Sequence, residues 1–155
     1  MLETGNKAPD FSLPDQDGNT QTLDSVPSEW TLIYFYPKDD TPGCTKEACL
    51  ITETYDDFED LGVRVLGVSK DSPASHKKFA EKYNLPFTLL ADETTEMIAA
   101  YQAWGEKSMF GKKYDGIMRV SYLLDAEHRI VKVYPKVDPA NHAIEILADI
   151  RALCE

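Results

Sequence analysis

The stretch Thr31–Cys49, TLIYFYPKDDTPGCTKEAC, decides how this chain is read. Thr31 to Tyr36 are apolar and aromatic almost without interruption, which suits a central strand covered on both faces better than an edge strand with one wet side. Pro37 stops the strand because it cannot donate to a ladder. Pro42 and Gly43 then mark a junction, and Ala48, Ile51, Tyr55 and Phe58 recur every three or four residues as the buried stripe of a helix that Gly62 ends. With the helix starting near Gly43, Cys44 falls in its first turn.

Outward from this core, Val63–Ser69 (VRVLGVS) reads as a second buried strand, and Asp71 or Ser72 caps a helix with Pro73 at its first position that runs to about Tyr83. A short strand in LPFTLLAD and a short helix in TTEMIAAYQA continue a β-α-β-α-β-α order. Trp104–Gly116 lacks a clean period and reads as a loop, whereas RVSYLLDAEHRIVKVYP reads as two strands around Asp125–His128. Asp138-Pro139 opens a last helix with Ala143, Leu147, Ile150 and Cys154 near one face. Upstream, Asp10–Leu13 and Thr20–Leu23 flank Asp17-Gly18-Asn19 and predict a small hairpin over one edge or end. The expectation is one α/β domain, residues 1–155, with a central mixed sheet flanked by helices and an N-terminal β-hairpin.

Composition narrows the function. The 155 residues carry 16 basic and 27 acidic side chains, net −11, with a pI near 4.7, so attraction to nucleic acid or an anionic membrane is disfavoured. The N-terminus has no basic segment followed by an apolar core, and no run is long enough to span a bilayer, so a cytoplasmic protein is expected. Three cysteines, Cys44, Cys49 and Cys154, cannot form a multi-disulfide scaffold. His76, His128 and His142 are scattered and predict no metal centre.

Chemistry concentrates at Cys44. A thiol in a helix's first turn meets backbone N–H groups without intrahelical acceptors and the positive end of the macrodipole, both of which favour thiolate. A buried inert cysteine is the competing reading. Thr41 is either a turn cap or a hydroxyl able to donate and accept beside the sulfur. Arg119, at the start of a strand, is either a solvated edge residue or a permanent cation that stabilises a charged leaving oxygen. Lys38, Asp39, Asp40, Lys46 and Glu47 read as a wet loop and helix start. Cys49 lies five positions from Cys44, a rise of about 7.5 Å and a rotation of about 140° beyond one turn, which gives a Cα separation of roughly 8.6 Å. A disulfide between them requires the helix start to unwind. Cys154 is read as a packing residue or an incidental thiol.

At these residues the chain strongly resembles the peroxiredoxins, in particular the peroxiredoxin Q or bacterioferritin comigratory protein subfamily. PKDDTPGC fits Pro-x-x-x-Thr-x-x-Cys, TKEAC supplies a second cysteine five positions on, and GIMRVSYLLD fits the segment bearing the family's arginine. GNKAPDFSLPDQDG and FAEKYNLPFTLLAD extend the likeness over nearly the whole chain. The resemblance implies a thioredoxin-like fold and reduction of hydrogen peroxide or organic hydroperoxides. It assigns Cys44 as nucleophile, Cys49 as its intramolecular disulfide partner, and Thr41 and Arg119 as the pair that orients peroxide. Pro42 would shield Cys44, and the Gly43 and Cys44 N–H groups would complete the donor set. It also implies a monomer regenerated by a thioredoxin-type protein, without haem, flavin or metal. Two other readings remain: a thiol-disulfide oxidoreductase without peroxidase activity, against which the missing CxxC speaks, and an acidic interaction domain with structural cysteines.

Overall fold

The computed structural model describes residues 1–154. A five-stranded sheet in the spatial order Thr88–Ala91, Val63–Ser69, Trp30–Phe35, Ser121–Leu124, Ile130–Tyr134 organises them. Its centre is β3 (Trp30–Phe35), and β4 (Val63–Ser69) and β5 (Thr88–Ala91) lie parallel to one side. On the other side β8 (Ser121–Leu124) and β9 (Ile130–Tyr134) run antiparallel.

The unbroken apolar run of β3 follows from burial on both faces. Leu32 and Tyr34 enter one core with Ala48, Ile51, Phe58, Phe79 and Ile146. Ile33 and Phe35, pointing the opposite way by the two-residue period of a strand, enter a second core with Met97, Ile98 and Tyr101. The helices α1 (Pro42–Glu53), α2 (Tyr55–Asp60), α3 (Pro73–Tyr83) and α5 (His142–Leu153) contribute to the first core, and α4 (Glu96–Ala100) to the second.

The N-terminal hairpin is shorter than expected, β1 (Leu13–Pro14) paired with β2 (Thr20–Gln21). Asp15 accounts for this: its carboxylate accepts from the N–H groups of Asp17 and Asn19 and closes the turn around Gly18 at φ 81°. Asp15 also bridges to Leu90, so the hairpin covers the β5 edge.

The structure corrects four expectations. The helix after Cys44 does not run unbroken to Gly62. It breaks at Thr54, whose hydroxyl bonds back to the Leu50 and Ile51 carbonyls, and Tyr55 is only half-buried. Trp104–Gly116 is not a loop but largely a hairpin, β6 (Trp104–Met109) and β7 (Lys112–Ile117), turned by Phe110-Gly111 at φ 53° and 78°. Its arms are largely exposed, so no apolar alternation marked it. The last helix starts at His142, because Asp138 accepts from the Ala140 N–H and the Asn141 amide and holds Asp138–Asn141 as a turn. Cys154, at the end of that helix, is exposed, which overturns its reading as a packing residue and leaves that of an incidental thiol. Among the described residues no helix is long and apolar enough to cross a membrane.

Candidate active site

The β3-to-α1 connection delivers the site. Thr41 stands at the helix N-cap in an extended conformation and Pro42 at the first helical position, where its missing N–H costs nothing. Thr41 makes no side-chain cap bond; its hydroxyl donates to the Lys38 carbonyl at 2.8 Å, which leaves the oxygen's lone pairs as acceptors. The N–H groups of Gly43 and Cys44 belong to the turn that has no intrahelical acceptors. Cys44 is 2% exposed and lies in the first core.

Arg119 arrives from 75 residues away through sheet pairing. Tyr34 pairs with Ser121 across the antiparallel β3-β8 ladder, and the Phe35 N–H donates to the Val120 carbonyl at 2.9 Å. The segment just before β8 therefore sits at the C-terminal end of β3, the end from which α1 departs. Arg119 precedes the strand instead of opening it, and its Nη2 donates to Cys44 Sγ at 3.1 Å. A Cβ on Gly43 would stand 2.7 Å from that Nη2, so the approach requires glycine there.

Three groups that the sequence reading passed over join the site. Glu47, read as part of a wet helix start, is 2% exposed, with Oε1 3.9 Å from Arg119 Nη1 and neither carboxyl oxygen hydrogen-bonded. Burial pushes its pKa up to about 7 against the opposing pull of Arg119. Helical spacing held the signal: Glu47 is three residues from Cys44 and shares its face. Lys107 comes from the unrecognised β6 and donates to the Ile117 carbonyl at 2.7 Å. Burial, and then Arg119, lower its pKa, while Cys44 opposes the shift. The Tyr34 hydroxyl is buried without a partner, and burial, Glu47 and Cys44 raise its pKa well above the ordinary tyrosine value.

Asp39 was likewise read as loop surface but is buried, whereas Asp40 is exposed. Asp40 takes φ 56°, a left-handed conformation costing about 1 kcal/mol for a residue with a Cβ. Its carboxylate accepts from Lys82 Nζ and Tyr83 Oη, each at 2.7 Å.

Cys49 occupies a different environment on the same helix. It is half-buried, and burial followed by Glu53 raises its thiol pKa. Both cysteines are free thiols within the unbroken α1.

A buried thiol at a helix N-terminus, touched by a guanidinium at the C-terminal end of a central strand, defines a thiol-redox protein. The AhpC/TSA family pattern matches residues 4–133. Peroxiredoxin Bcp of Escherichia coli K12 is 47% identical over 141 residues, covering 91% of this chain and 90% of the relative. A cysteine-to-serine mutant of Xylella fastidiosa PrxQ superposes with a TM-score of 0.93 at 31% identity, covering 100% of this chain and 99% of that one. The Xanthomonas campestris bacterioferritin comigratory protein gives 0.87 at 36% identity, covering 94% and 92%. The fold is thus thioredoxin-like, and the chain belongs to the AhpC/TSA family, within it to the peroxiredoxin Q or bacterioferritin comigratory protein subfamily.

Proposed function

We propose that this chain, as a single domain, is a thioredoxin-dependent peroxidase in which Cys44 attacks hydroperoxides and Cys49 closes the cycle. The observation that carries the assignment is the 3.1 Å bond from Arg119 Nη2 to Cys44 Sγ at the start of α1. It sets a permanent cation against the sulfur at a helix N-terminus, and the thiolate is the form of a cysteine that attacks. The thiolate attacks the terminal oxygen of R-O-O-H. The S–O bond forms as the O–O bond breaks, the electron pair departs with RO⁻, and a proton converts it to ROH. Arg119 and the first-turn N–H groups donate to the charge developing on the oxygens, while the free lone pairs of Thr41 Oγ1 accept from the peroxide O–H.

Cys44 is then a sulfenic acid. Attack by the Cys49 thiolate forms the S–S bond and expels the oxygen as water. In regular α1 geometry the Cα atoms stand roughly 8.6 Å apart, beyond disulfide reach, so the first turns of α1 must open. Opening strips Ala48 and Ile51, both fully buried, of their packing, and this favours reclosure once the disulfide is reduced. Two thiols of a thioredoxin-type protein return the disulfide to Cys44 and Cys49 by exchange.

The E. coli and Xylella relatives bear peroxiredoxin names, and the Xanthomonas relative is described for alkyl peroxide reduction. These support hydrogen peroxide and alkyl hydroperoxides as substrates. A monomer in the reducing cytoplasm fits a cycle contained in one helix. The test is peroxide-dependent NADPH consumption by reduced protein with thioredoxin and its reductase. Wild type should turn over and Cys44→Ser should not; a Cys44→Ser protein that still consumes peroxide would remove the assignment.

A further inference from the structure

Asp39 lies two residues before Thr41, inside a buried polar network that the steps above leave unused. Its Oδ1 accepts from Tyr36 Oη at 2.6 Å, and its Oδ2 accepts from Ser75 Oγ at 2.8 Å and faces His76 Nδ1 at 2.7 Å. His76 is fully buried, and its Nε2 faces the Leu90 carbonyl at 2.9 Å. A carbonyl only accepts, so Nε2 carries a hydrogen. One further hydrogen then lies between Nδ1 and Asp39 Oδ2, so the 2.7 Å contact is a buried hydrogen bond, with Tyr36 Oη and Ser75 Oγ as the other donors to the carboxyl group. The Asp39 N–H also donates to Asp71 Oδ2 at 2.9 Å, an oxygen that Ser69 Oγ holds at 2.7 Å. Asp39, Asp71 and His76 bring three potential ligand atoms within 4.8 Å of one another, but the direct 2.7 Å contact fills with a proton the space a cation would need.

These bonds tie one turn to three elements. Through Asp39 the Lys38–Thr41 turn is fastened to the β4-α3 junction, to the first turn of α3 and, through His76, to β5. The Thr41 hydroxyl points within the same turn, at the Lys38 carbonyl. No bond of the Asp39 network involves α1, so opening α1 leaves it whole.

We propose that Asp39 and His76 are positioning residues for peroxide reduction: the buried pair locks the Lys38–Thr41 turn so that Thr41 Oγ1 meets the peroxide, and keeps the turn in place while α1 opens and recloses. This deepens the peroxidase reading and rests on it. The pair touches neither the sulfur nor the substrate, so its loss separates two reactions of Cys44. Peroxide oxidation depends on an oriented O–O bond, whereas alkylation by iodoacetamide depends on the thiolate and its exposure.

The experiment compares wild type with Asp39→Asn, His76→Asn and Ser75→Ala in the full-length reduced chain, using hydrogen peroxide and iodoacetamide under pseudo-first-order conditions. Asp39→Asn should slow Cys44 oxidation by roughly tenfold or more, the cost of a misplaced reacting group, while alkylation changes by less than about twofold. His76→Asn, whose amide can reach Asp39 from the Nδ1 position, should recover part of the rate. Ser75→Ala removes one donor of three and should cost the least, so the series still reads out if Asp39→Asn fails to fold. Wild-type oxidation rates in the folded variants, or equal losses in oxidation and alkylation, would overturn the inference while leaving the peroxidase reading intact. A wild type that consumes no peroxide would overturn both.

Discussion

The two cysteines of α1 share a helix and a residue type, yet they occupy opposite environments. Cys44 is 2% exposed, stands in the first turn and receives Arg119 at 3.1 Å. Cys49 is half-buried in mid-helix, where burial and Glu53 both oppose its thiolate. Both thiols attack as thiolates, but Cys44 must meet peroxide in the closed helix, whereas Cys49 attacks only after the helix has opened and changed its surroundings. On the proposed cycle, position along one helix separates the attacking thiol from the resolving one.

The largest way to break this contrast is Cys49→Ser. The first oxidation of Cys44 should be unchanged, but thioredoxin-driven turnover should essentially cease, and a single peroxide equivalent should leave one added oxygen on Cys44 by intact mass. Sustained turnover by this variant would hand the resolving role to another thiol, the exposed Cys154 included.

Arg119→Met comes next. Removing one donor from a site that stabilises developing charge costs about 10²-fold or more in rate, and stopped-flow oxidation of folded protein should read that loss. An undiminished second-order rate would remove Arg119 from the site.

Gly43→Ala is a subtler version of the same test. Its Cβ would stand 2.7 Å from Arg119 Nη2, so the guanidinium must retreat from the sulfur. Oxidation should slow by about tenfold, equivalent to roughly 1.4 kcal/mol, while stability holds or rises by up to about 1 kcal/mol, since alanine is the better helix former. Rate and melting temperature moving down together would mean that the helix, and not the arginine, was disturbed.

Glu47→Gln should have the smallest effect on chemistry and a distinct effect on stability. The folded state raises the Glu47 pKa from 4.5 to about 7. The native state therefore binds more protons than the unfolded chain between those values, and stability contributed below pH 4.5 is lost as pH rises through 7. Glutamine cannot ionise. Urea unfolding at pH 5 and pH 8 should show the variant gaining on wild type at the higher pH by up to roughly 3 kcal/mol. A difference independent of pH would place a charged, satisfied Glu47 in the fold.

Much of this molecule could be read along the chain because local periodicity and backbone chemistry act over a few residues. The double-sided apolarity of Thr31–Tyr36 announced a central strand, Val63–Ser69 matched its strand end to end, and Ser72-Pro73 marked the start of α3. Pro42 and Gly43 placed Cys44 in a first turn by the same local rules. The exposed β6-β7 hairpin escaped because strands wet on both faces leave no period. Glu47 and Asp39 escaped for another reason: a charge beside other charges reads as solvated until a tertiary contact buries it. Sequence by itself determined where the Cys44 thiol sits and which helix presents it. Only the tertiary structure decided that Arg119 reaches that sulfur, that Gly43 leaves room for it, and that Asp39 closes on His76. Those contacts span from 37 to 76 positions along the chain, and sheet pairing and burial, which no short window of residues encodes, bring them together.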